Sequence, residues 1–170
     1  MNLLKQLAQK KAPIVEKWFD LAIHSYSTDA ARLFQNNKDP FTNPVGHTTR
    51  QTLETVFDVL VGSSDRAAAE ASLTQLIRIR AVQAFTPAQA LRFIFDLKAI
   101  IRSAAGPAHA QEEMAEVERR IDDIALIAFD IYMQCREKIY DLKANEVRSR
   151  TFKAFARAGL IKEPPESVQG

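Results

Sequence analysis

From residue 108 to residue 158 the chain contains neither glycine nor proline. Nothing in this run interrupts a helix as glycine or proline would, so one very long helix is expected, or two consecutive ones, with Asn145 marking where a break would fall. Within the run, Met114, Val117, Ile121, Ile124, Ala128, Ile131 and Cys135 repeat at three-four spacing. That pattern suits either a core-facing stripe or pairing with another helix.

The rest of the chain carries helix starts and stops. Residues 2–11 read as a short helix, and Pro13 suits the first turn of a second, with Ile14, Val15, Trp18, Leu21, Ala22 and Tyr26 apolar. Ser27 or Thr28 can cap a third helix reaching Phe34. After the loop "NNKDPFTNP", Asn43 caps a helix with Pro44 at its first position, predicted to end at Val61. "GSSD" (62–65) stops that helix and starts the next. In "TPAQ", Thr86 caps, Pro87 takes the first position and Gln89 stands where a capping box needs it. No segment alternates with period two for long enough to be a strand. The fold expected is all-α: a bundle-like or globin-like set of six to eight helices with a long C-terminal one.

Apolar residues make up 46% of the 170, enough to fill one core. The net charge of +2 is too small to imply a nucleic-acid or membrane partner. Its distribution is uneven, with six acids and two bases over 111–123, and eight bases and three acids over 136–162. A single cysteine, Cys135, excludes an internal disulfide and any multi-cysteine metal site, and its apolar surroundings predict an inert core thiol. The start "MNLLKQLAQKK" lacks the apolar region of a signal peptide, and the run "IALIAFDIYMQC" is too short to span a bilayer. A cytoplasmic location is expected.

Candidate binding residues come from a conflict in "IRIRAVQAFTPAQALRFIFDLKAII" (77–101). On the helical wheel Arg80 falls among Leu73, Leu76 and Ile77, while Arg78 falls on the opposite, wetter side. Gln83 lies at the edge of the apolar face. Lys98 falls between Ile94 and Leu91 on the next helix. Lysine and arginine are almost never fully buried unpaired. Three readings are open: both snorkel; an ion pair forms with Asp130, which apolar residues flank on the long helix; or Arg80, Gln83 and Lys98 line a pocket for an anion.

In "VRSRTFKAFARAG" (147–159), Phe152, Phe155 and Ala156 face one way and Arg150, Lys153 and Arg157 the other. This helix can pack on the bundle or dock a protein partner. Attachment to a membrane surface or nucleic acid ranks below these, since five net positive charges are modest.

His24, His47 and His109 all lie away from predicted cores, so no haem is expected. No metal-ligand spacing, phosphate loop, nucleophile elbow or Cys/His pair is present. Neither a cofactor nor enzymatic chemistry is expected.

The residues "NPVG" (43–46), "RIRAVQAFTP" (78–87) and "FDLK" (95–98), with Trp18 upstream, resemble the N-terminal sensory domain of RsbR-type RsbT co-antagonists, the stressosome proteins. The resemblance covers roughly residues 10–140. It implies a helical, homodimer-forming input domain without catalytic chemistry; related input domains are globin-like without haem. RsbR-type proteins continue into a STAS domain whose threonines are phosphorylated. These 170 residues show no strand–helix alternation of that kind, so those sites are not carried over and a stand-alone input domain is expected. The expected layout is an input domain over 1–144, a basic amphipathic helix over 145–159 and a mobile tail over 160–170, acting through a protein partner.

Overall fold

The structure is a computed structural model that describes residues 2–83, 85–107 and 111–162. Among them lie seven α-helices and no strand: α1 (Leu3–Gln9), α2 (Lys11–Ile23), α3 (Thr28–Asn36), α4 (Pro44–Val61), α5 (Arg66–Val82), α6 (Pro87–Ala105) and α7 (Gln111–Arg157). The chain divides within α7 into two compact units, Met1–Cys135 and Arg136–Gly170. His109 and the tail from residue 163 onward lie outside the described residues.

Local chemistry explains the boundaries. Asn43 caps α4 by accepting from the Gly46 amide at 3.0 Å, and its own amide donates to the Asn37 carbonyl at 2.6 Å and the Phe34 carbonyl at 3.1 Å. A Cβ on Gly46 would stand 2.8 Å from the Asn43 Cγ, so "NPVG" needs glycine for this close approach. Thr86 and Gln89 form the reciprocal capping box at the head of α6, behind Pro87. α4 stops at Gly62, whose φ of 83° and the bond from Ser63 N–H to the Asp58 carbonyl make a Schellman end.

In the first unit α2 lies at the centre, packed against α4 and α6, with α5 antiparallel beside α4. Trp18 and Phe19 are fully buried, and the Trp18 indole donates to the Phe93 carbonyl at 2.6 Å, which satisfies its polar atom inside the core. α6 and the first part of α7 run antiparallel. Lys98 meets Asp122 at 2.6 Å and Arg102 meets Glu118 at 2.5 Å, two bases one turn apart against two acids one turn apart. Val117, Ile121, Ile124, Ala128 and Tyr132 of α7 enter the core, so the three-four stripe is consumed within the chain. Met114, Ile131 and Cys135, at its margins, are half-buried. Cys135 is therefore a boundary thiol and not the core residue expected.

The second unit carries the remainder of α7, which passes through Asn145 without a break. It ends at Gly159 (φ 71°), where the Leu160 amide donates to the Phe155 carbonyl at 3.0 Å. Residues 141–155 are exposed throughout, and Tyr140, Leu142, Val147, Phe152 and Phe155 are among the large apolar side chains left in solvent.

Candidate functional site

Arg80 is the one charged residue of the described chain that is fully buried. It stands in the last turn of α5, where the apolar stripe of that helix turns it inward, and Arg78 is exposed. Its Nη2 donates to the Ala22 carbonyl at 2.7 Å, and its Nη1 to the Ala90 carbonyl at 3.3 Å and the Ser25 hydroxyl at 3.4 Å. Three rings surround the guanidinium carbon: Phe93 at 4.8 Å, Tyr26 at 5.5 Å and Phe85 at 5.8 Å from their centroids. Nε has no hydrogen-bond partner.

Burying a cation without a carboxylate costs several kcal/mol even after relaxation. Here the cost is offset by groups that are neutral but oriented. Ala22 lies in the last turn of α2, where carbonyls lack intrahelical donors and the helix dipole is negative. Arg80 also sits at the negative end of its own helix, and ring quadrupoles add cation–π attraction. Burial pulls its pKa below the ordinary arginine value, with Tyr26 acting the other way. Arginine starts so high that the side chain stays charged. Burial likewise pushes the Tyr26 hydroxyl up, opposed by the Arg80 charge and the bond to Gln83.

The structure brings together two of the four residues expected at this place. Gln83 is one step outside Arg80, its side-chain oxygen accepting from the Tyr26 hydroxyl at 2.9 Å. Lys98 is elsewhere, half-buried and paired with Asp122. Asp130 is exposed, and none of the Arg80 hydrogen bonds goes to it. Of the three open readings, the Arg80–Asp130 ion pair does not form. At ~100° per residue Asp130 points away from buried Ala128 and Tyr132, and shares a face with Leu126, Phe129 and Met133. Those three are 65%, 46% and 38% exposed. An apolar run in sequence is not a buried face when its residues circle the helix. Sequence reasoning missed Ser25, Tyr26, Phe85 and Phe93, which arrive from other segments. The paired spacing of Lys98/Arg102 against Asp122/Glu118 would have revealed the partner of Lys98.

Two further surfaces stand out. Phe95 of α6 and Phe129 of α7 border one depression of about 720 Å³, which Pro87 and Leu91 also line, and Leu126 and Met133 are exposed about one turn to either side of Phe129 on α7. In the second unit Arg150 pairs with Glu146 at 3.0 Å, and Phe152, Lys153, Phe155 and Arg157 are all exposed. His24 and His47 are exposed, and no cluster of three or more metal-ligating side chains occurs among the described residues. No helix among them is long and apolar enough to cross a membrane.

The described residues form an all-helical domain built around a caged cation. Residues 12–147 match the family described as the RsbT co-antagonist protein rsbRD N-terminal domain, and the chain belongs to that family. No curated protein and no solved structure matches it.

Proposed function

We propose that this chain is a non-enzymatic, cytoplasmic signal-input domain of the stressosome type that works as a homodimer and passes its state to a protein partner. Membership of the co-antagonist family supports a regulatory role. The observation that carries the dimer is the face made by Phe95, Leu126, Phe129 and Met133. Large apolar side chains left exposed in one region of a folded domain favour an interaction site there. Its occupant is a second copy, because a symmetric pair lays the same apolar residues against each other, and the charged cluster of Glu116, Arg119 and Asp123 on the same helix supplies a polar rim.

Residues 136–162 favour a different occupant. Eight bases against three acids make self-pairing of this segment repulsive, and exposed Phe152 and Phe155 offer anchors. An acidic protein surface with an apolar groove suits Arg150, Phe152, Lys153, Phe155 and Arg157. Sedimentation velocity over a hundredfold range of concentration tests the dimer. The wild-type chain should sediment as a dimer and Phe129→Glu as a folded monomer, whereas a wild-type monomer at all concentrations would remove the dimer reading.

A further inference from the structure

The hydrogen bonds of Arg80 go to three neutral oxygens, and its Nε has no acceptor. Against the same side chain opens a cleft of about 360 Å³, bordered by His24, Ser25, Arg80, Gln89, Arg92 and Asp96. Leu21 and Phe93 supply an apolar wall. Basic side chains outnumber acidic ones around it. The volume falls in the range of small-ligand sites, roughly 300–1,000 Å³.

We propose that this cleft binds a small carboxylate that carries an apolar body. The countercharge that Arg80 lacks inside the protein is then supplied from the cleft. Arg92 is the first contact: its side chain is largely exposed, and it touches Asp96 only at 3.5 Å, longer than a good charge-assisted bond. Its planar fork matches the two oxygens of a carboxylate. Ser25 is the link to the interior. Its hydroxyl accepts from Arg80 and donates its one proton to the Ala22 carbonyl at 3.1 Å. That carbonyl also accepts from Arg80 Nη2, so the proton of Ser25 can turn to the ligand without orphaning it. The carboxylate then lies on Ser25 and Arg92, with the Arg80 charge one hydroxyl behind. A bare inorganic anion would leave the exposed Leu21 side chain on the cleft wall uncovered, which selects an organic body.

Gln89, Arg92 and Asp96 also border the depression beside Phe129, so the ligand reaches the rim of the proposed dimer face. The site itself does not rest on that dimer. Backbone amide NMR titration of the full chain at constant ionic strength tests it, with sodium benzoate, acetate, phosphate and chloride as probes. Benzoate should bind saturably, shifting the amides of residues 24–26 and 89–93, with acetate about tenfold weaker and phosphate no better than chloride. Ser25→Ala and Arg92→Gln should each weaken benzoate by about tenfold or more; Arg92→Gln should leave the melting of the free protein unchanged, and Ser25→Ala should lower it only slightly, since the bond it accepts from Arg80 is long at 3.4 Å. Three results would overturn the proposal: benzoate shifts equal to those of chloride, phosphate binding as tightly as benzoate, or benzoate affinity untouched in both variants. Sedimentation of the same samples separates the two readings, since a monomer that still binds benzoate removes only the dimer.

Discussion

Replacing Arg80 by methionine should be mild, because no opposite charge is left behind, whereas replacing it by alanine should be damaging, because it also empties the space the side chain fills. Methionine keeps the apolar stem and most of the volume. It loses one good hydrogen bond, the 2.7 Å contact to the Ala22 carbonyl, and two long ones at 3.3 and 3.4 Å. A bond to a charged donor contributes about 1.5–3 kcal/mol, and the long pair less. Against that stands relief from burying a guanidinium, which costs several kcal/mol. Ala22 keeps the Ser25 hydroxyl as donor. The terms nearly cancel, so Arg80→Met should lie within about 1.5 kcal/mol of wild type. Alanine also removes the stem and leaves a cavity, a further ~2–5 kcal/mol by analogy with buried methionine-to-alanine changes. Urea denaturation followed by circular dichroism, with equal slopes required, measures both. Asp130→Asn, run in parallel, should change stability by less than about 0.5 kcal/mol and add independently to either variant. A methionine variant as damaged as the alanine one, or coupling between positions 80 and 130, would refute the carbonyl-and-aromatic account of the cage.

Gly46→Ala should cost about 2–4 kcal/mol in the same assay, since the new Cβ evicts the Asn43 side chain, removing a cap and the donor to the Phe34 and Asn37 carbonyls. Thr86→Ala should cost about 1 kcal/mol by breaking the capping box at the head of α6, and Thr86→Ser should restore most of it. Bonding to Arg50 holds the Glu16 carboxyl below its ordinary value of 4.5. Its stabilisation is therefore complete above that value and lost as pH falls through the lower folded-state pKa. Glu16→Gln should lower stability slightly at neutral pH, where the pairing is intact, and leave it unchanged below the folded-state pKa, so that the acid side of the stability–pH curve flattens; an unaltered acid limb counts against the pairing.

Helix boundaries were legible because their causes are local. Asn43 with Pro44, and Thr86 with Pro87 and Gln89, act within four residues of one another, and each caps where the sequence says it should. The inward turn of Arg80 was legible too, since one helix's periodicity decides which of its residues face the core. What surrounds Arg80 was not. Its carbonyls belong to Ala22 and Ala90, its rings to Tyr26, Phe85 and Phe93, and backbone oxygens leave no trace in residue identity. A carboxylate partner is one of the readings open to the sequence because side-chain charge is what a sequence displays, and Asp130 does not fill that place because an apolar neighbourhood along α7 says nothing about which face meets the core. Lys98 found Asp122 only through the antiparallel register of α6 and α7. Periodicity decides that a helix has an apolar side; packing alone decides how much of that side is covered. This chain therefore declares its helices and the core-facing position of Arg80 in sequence, whereas tertiary packing determines that the charge is buried, and with it the cage, the cleft and the uncovered face.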